Sequence, residues 1–158
     1  MKLAIGADHR GSEVLHKLRD YLSCRGYAVE PFGSLDGHMC DYPDAAYKVA
    51  VAVSDGRCER GILICGSGIG MSIAANKVAR VRAALIHDEL DAEISRRHND
   101  ANVLCLPAGL VSSQSIERIV STWLETPFEG GRHARRNHKI CLIEQGHDPT
   151  AARNVQSA

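Results

Sequence analysis

The run GILIC at 61–65 carries apolar residues on both sides of its pleat. A strand of that kind is buried on both faces, a condition met mainly where helices cover both sides of a parallel sheet. The rest of the chain fits such a sheet. KLAIGAD (2–8), YAVEPFG (27–33), RAALIH (82–87) and NVLCLP (102–107) are further short runs with strand character. Between them apolar residues recur at helical spacing. Val14, Leu15, Leu18, Tyr21 and Leu22 precede a stop at Gly26, and Ala46, Val49, Ala50 and Val53 follow Pro43 and close near Gly56. Ile116, Ile119, Val120, Trp123 and Leu124 form a third stripe. Helices are also expected over about 70–78 and 132–144, and over 88–100, where an acidic start and a basic end suit the helix dipole. GSLDGHMCDYP (33–43) reads as a loop.

Strand–helix alternation predicts an α/β fold: a single doubly wound domain of about five parallel strands with helices on both faces, in the flavodoxin-like, Rossmann-like order 2-1-3-4-5. The domain is expected over 1–145. The stretch 146–158 has no apolar stripe and is expected to be a mobile tail or to pack on a partner subunit.

In that order strands 1 and 3 are neighbours whose connections leave in opposite directions, and ligands bind outside their carboxyl ends. ADHRG follows strand 1 and CGSGIG follows strand 3, so topology brings Asp8, His9 and Cys65 to one crevice. Gly66, Gly68 and Gly70 let backbone N–H groups converge on an anion. Their G-x-G-x-G spacing is not the dinucleotide G-x-G-x-x-G, and the turn lacks the G-K-[ST] of a Walker loop. NAD and ATP therefore fit poorly, a small anionic ligand fits better, and a plain tight turn also fits. A helix N-terminus beside Cys65 favours a thiolate that could act as base or nucleophile; a buried cysteine at a strand end is the alternative. Asp8 and His9 together can serve as a helix cap, and His98 can satisfy the last carbonyls of its helix. Arg132 and Arg136, at i and i+4, can clamp a phosphate or form a solvated basic face.

Composition narrows the class. The 158 residues hold 19 Lys and Arg against 19 Asp and Glu, so the basic excess of a general nucleic-acid or membrane binder is missing, although 132–139 is locally basic. Neither kind of partner is expected. Six cysteines with no CxxC pair argue against zinc and against disulfides. No apolar stretch approaches the ~20 residues of a membrane span, and MKLAIGADHRG has no secretory apolar region. The expectation is a soluble, reduced, cytoplasmic protein.

Taken together, GADHRG, DYPDAA, GILICGSGIGMSIAANK, RAAL, RRHNDANVL and EGGRHARR, in this order and spacing, resemble the ribose-5-phosphate isomerase B family, which includes the galactose-6-phosphate isomerase subunits. The resemblance spans residues 2–144. It implies an aldose–ketose isomerase of a phosphorylated sugar, with no metal or cofactor. It also implies a homodimer, or a dimer of dimers, whose site is shared between subunits. It assigns proton abstraction to Cys65 and ring opening to His98. It assigns substrate binding to Asp8, His9, Tyr42, Gly66, Ser67, Gly68, Ile69, Gly70, Asn99, Arg132 and Arg136, and Asn76 matches a motif near the site. The family commonly carries a basic residue in a G-x-R turn after the fifth strand. LPAGLVS (106–112) has Gly109 and Leu110 there, so one phosphate contact is missing or comes from another residue such as Arg10.

The leading expectation is interconversion of ribose 5-phosphate and ribulose 5-phosphate in the pentose phosphate pathway of carbohydrate metabolism. A six-carbon sugar phosphate, such as allose or galactose 6-phosphate, is the alternative within the same chemistry. A non-catalytic sensor of sugar phosphates or nucleotides has no need for both Cys65 and His98. A thiol-redox protein would need a resolving cysteine, and none neighbours Cys65 in sequence.

Overall fold

The computed structural model describes residues 1–151. In chain order the elements are β1 (Lys2–Ala7), α1 (Ser12–Cys24), β2 (Ala28–Gly33), α2 (Tyr42–Ser54), β3 (Arg60–Cys65), α3 (Ile69–Ala75), β4 (Ala83–Leu85), α4 (Glu89–Arg97), β5 (Val103–Pro107), α5 (Ser113–Glu125) and α6 (Arg132–Glu144). Every strand pairing is parallel, and helices pack on both faces of the one sheet. The doubly wound α/β class is therefore as expected, with a different order at one edge. The strands run β2-β1-β3-β5-β4, not 2-1-3-4-5. Burial explains the exchange. All five residues of β5 are buried, whereas the three of β4 are only half-buried. Burying one Val or Leu side chain fully is worth about 1.5–3 kcal/mol over leaving it exposed. The longer, more apolar strand therefore takes the interior position and the short one the edge.

Alternate residues of the central strands feed two cores. Leu3, Ile5, Ile62, Ile64, Leu104 and Leu106 meet Leu15 and Leu18 of α1 and Ile116, Ile119 and Trp123 of α5. Ala4, Leu63, Cys65, Val103 and Cys105 meet Val49 and Ala50 of α2 and Met71 of α3. Cys65 thus ends a strand held in packing from both sides, which fixes where its sulfur stands. By contrast, α6 stands off the body: of its 13 residues only His133 is buried.

No helix among the described residues is long and apolar enough to cross a membrane. All six cysteines are free. After α6 the chain turns through Gly146, and the remainder of the expected tail, 152–158, lies outside the described residues.

Candidate active site

The carboxyl ends of β1, β3 and β5 open on a cleft of about 600 Å³. Asp8, His9 and Arg10 reach it from the loop after β1, and Cys65, Gly66, Ser67 and Gly70 from the turn after β3. Ala108, Gly109 and Leu110 close it from the loop after β5, and Tyr42 walls it from the start of α2. The Ala108 N–H donates to the Cys65 carbonyl at 2.9 Å and the Gly109 N–H to the Gly66 carbonyl at 3.0 Å, so the last two loops are tied together.

Asp8 is buried, and its Oδ1 accepts the N–H groups of Arg10 at 2.9 Å and Gly11 at 3.0 Å. This turn, closed by a side chain, fixes the first loop. One of its carboxylate oxygens therefore serves the fold. Tyr42 lies flat against Gly70, where a Cβ would stand 2.6 Å from the ring. Glycine at position 70 is what lets the phenol close on the turn.

Cys65 is 5% exposed, and its Sγ accepts the Gly68 N–H at 3.1 Å. Cys105 lies on the same face of the sheet. Burial first, and the neighbouring Cys65 second, push its thiol well above the ordinary value. Of these two sulfurs only Cys65 lines the cleft. The Ile69 N–H turns to Ser67 Oγ at 3.4 Å. Two of the amides expected to hold an anion are thus engaged within the turn, and Gly68 and Ile69 do not line the cleft while Gly66, Ser67 and Gly70 do.

His98 caps α4 at a second location. Buried Arg96 donates to the Ala101 carbonyl at 2.6 Å and pairs with Asp100 at 2.8 Å, and Arg82 pairs with Asp100 from the other side at 2.8 Å. These bonds hold the turn that carries His98 and Asn99. The His98 ring stacks on His133 of α6, with centroids 4.1 Å apart and planes within 3°. Arg132 Nε donates to His133 Nε2 at 3.2 Å, which requires that nitrogen to be unprotonated. Consistent with this, burial first and electrostatic repulsion between the stacked imidazoles next hold the His133 pKa below its usual value. Glu129 takes a hydrogen bond from Arg97 at 3.1 Å and lies 3.9 Å from both histidines.

One atom each of His98, Glu129 and His133 falls within 4.8 Å of the others, the spacing of a metal site. The surroundings do not suit a cation. Guanidinium groups already occupy His133 Nε2 and Glu129, and parallel stacked rings cannot both aim their lone pairs at one ion.

A sequence profile of the family described as Ribose/Galactose Isomerase matches residues 3–140. The chain belongs to that family. It is 43% identical over 144 residues to ribose-5-phosphate isomerase B of Escherichia coli K12, covering 91% of this chain and 97% of that protein. It is 42% identical over 146 residues to D-erythrulose-4-phosphate isomerase of Pectobacterium atrosepticum, covering 91% and 95%. Among solved structures, Clostridium thermocellum ribose-5-phosphate isomerase B aligns with a TM-score of 0.91 at 49% identity, covering 92% of this chain and 99% of that one.

In this isomerase the expected site residues fall into two groups. Asp8, His9, Tyr42, Cys65, Gly66, Ser67 and Gly70 share the cleft. His98, Asn99, Arg132 and Arg136 do not line it, and Asn99 instead faces a separate groove of about 640 Å³ beside Ile140 and Ile143 of α6. Asn76 serves the fold. Its side chain accepts from the Ala83 N–H at 2.9 Å and donates to the Ala83 carbonyl at 2.8 Å, pinning the start of β4. Sequence reasoning missed Glu129 and the stacking role of His133, although both lie in or beside EGGRHARR.

Proposed function

We propose that this isomerase interconverts D-ribose 5-phosphate and D-ribulose 5-phosphate, and that it does so as a homodimer in which each cleft is completed by a second copy. The observation that carries the reading is the Cys65 sulfur, at the cleft wall and in contact with the Gly68 N–H. His98, Asn99, Arg132 and Arg136 stand outside their own chain's cleft. Exposed Tyr42, Ile69, Ile73 and Leu110 lie on or beside the elements that form its rim, an apolar surface suited to another subunit.

The chemistry follows from the groups. His98 of the second copy moves a proton from the anomeric hydroxyl to the ring oxygen, since an imidazole both gives and takes protons near neutrality. The open aldose presents its C1 carbonyl and its C2–H to Cys65. The thiolate takes the C2 proton, the C1–C2 bond becomes double, and O1 takes up the negative charge of a cis-enediolate. Backbone N–H groups of the glycine turn offset that charge, and one such donor is worth about 3 kcal/mol in a dry site. The O2 proton passes to O1, and the Cys65 thiol returns its proton to C1, leaving the C2 ketone. Arg132 and Arg136 of the second copy hold the phosphate and so aim the sugar carbons at the sulfur. These proton transfers call on no metal.

The D-erythrulose-4-phosphate isomerase among the relatives supports a second reading, in which the chemistry is the same and the sugar differs in length, a six-carbon phosphate included. The test is ribulose formation from ribose 5-phosphate with chelator present, run beside tetrose and hexose phosphates. Turnover should survive the chelator and fall by about 10²–10⁴-fold in Cys65→Ala. Full activity in that variant, or no turnover of any sugar phosphate by the parent, would refute the reading.

A further inference from the structure

Among the described residues that line the Cys65 cleft, Arg10 alone carries a fixed positive charge. Its backbone is anchored, because the Arg10 N–H is held by Asp8 Oδ1 at 2.9 Å. Its guanidinium pairs with no carboxylate among the described residues. Even so, the side chain folds back over the glycine turn: a Cβ on Gly66 would stand 3.1 Å from Arg10 Cδ and 3.4 Å from Nη1. Any residue but glycine at position 66 would crowd that path. An unpaired guanidinium laid along a concave wall, beside a turn that leaves room for it, has the form of a waiting anion contact. Its planar fork of donors matches a phosphate.

We propose that Arg10 binds the phosphate of the substrate within its own chain and sets the preference for phosphorylated over free sugars. This deepens the isomerase reading and rests on it. The phosphate is the better match for a permanent charge, because the phosphate is a full anion throughout the reaction. The enediolate charge is transient and has backbone amides of the glycine turn beside it. The two arginines of α6 do not reach their own chain's cleft, so Arg10 is the anion contact that one chain supplies by itself.

The test uses two readouts. The first is the rate of Cys65 alkylation by iodoacetamide, followed on the Cys65 peptide by mass spectrometry, with and without inorganic phosphate. Phosphate should protect Cys65 in the parent protein. In Arg10→Gln the phosphate concentration for half-protection should rise by about tenfold or more, with Arg10→Lys in between. The second is steady-state turnover, where Arg10→Gln should raise KM for the sugar phosphate about tenfold with kcat little changed. Unchanged half-protection and KM would overturn the proposal. So would a fall in kcat at constant KM, which would put the guanidinium on the reacting carbons. If the parent protein turns over no sugar phosphate, the isomerase reading fails by itself, and phosphate protection alone then decides the role of Arg10. Arg10 makes no internal side-chain bond, so its variants keep the fold, and a thermal melt checks this.

Discussion

Gly68 donates its N–H to the sulfur of Cys65 across 3.1 Å, and it does so from a left-handed backbone with φ +73°. Only glycine adopts that conformation without penalty, and another residue pays roughly 1–2 kcal/mol there. A Cβ on Gly68 would also overlap the Leu85 side chain of β4. Gly68→Ala should therefore lower stability by about 2 kcal/mol and reduce kcat, because relief of the overlap moves the N–H off the sulfur. Urea unfolding and steady-state kinetics on the same preparation check both. A stable variant with parental kcat would mean that this contact contributes nothing to the chemistry.

His133 gives the fold a pH dependence of known sign. Burial, and next repulsion from the stacked His98 imidazole, depress its pKa, so the folded state binds fewer protons than the unfolded chain, where the imidazole titrates near its ordinary value of 6.5. Stability then rises with pH through that region and is lost as pH falls below it. The urea midpoint should be lower at pH 5.5 than at pH 7.5, and His133→Asn should flatten the difference. An unaltered slope in the variant would show that His133 stays neutral for no energetic reason.

What the residues revealed in advance, and what they did not, follows from the range of the forces involved. Alternation of GILIC-type runs with amphipathic stripes reports local burial, so the strands and the long helices were legible, as was the meeting of Asp8, His9 and Cys65. The order of β4 and β5 was not, because chain order carries no measure of which strand is the more apolar competitor for the interior. Helix α4 ends at Arg97 before the expected 100, since Asp100 takes a positive φ of 46° and binds Arg82 and Arg96. His133 sits in a run of exposed arginines and reads as solvated; its burial comes from a ring on a different helix. The separation of His98 and the α6 arginines from the cleft is likewise a matter of tertiary placement, which spacing within a motif does not express.

Ile69 and Ile73 lie one turn apart on α3 and are 54% and 59% exposed. Two such side chains in water on one helix face, next to the glycine turn of the cleft, match a subunit contact. Ile73→Glu should therefore give a monomer by light scattering and abolish turnover. Its melting temperature as a folded chain should change little, because the side chain packs against little of its own subunit. A dimer of parental activity in this variant would remove α3 from the interface.

Shared clefts make a further demand that a self-contained cleft does not. On the proposed mechanism Cys65→Ala and His98→Asn should each be inactive, since one would lack the base and the other the ring-opening imidazole. Mixed and allowed to exchange subunits, they form mixed dimers in half of cases. Each mixed dimer holds one cleft in which an intact Cys65 faces an intact His98, and a second cleft that lacks both. The mixture should thus recover about one quarter of parental activity, half the dimers times half the sites. Recovery that tracks the exchange rate would establish that the two groups act across the interface. If the mixture stays inactive while mass spectrometry shows mixed dimers, Cys65 and His98 do not act on one another's subunits; if His98→Asn by itself keeps parental turnover, the ring-opening role passes to a group inside the Cys65 cleft, with His9 the candidate.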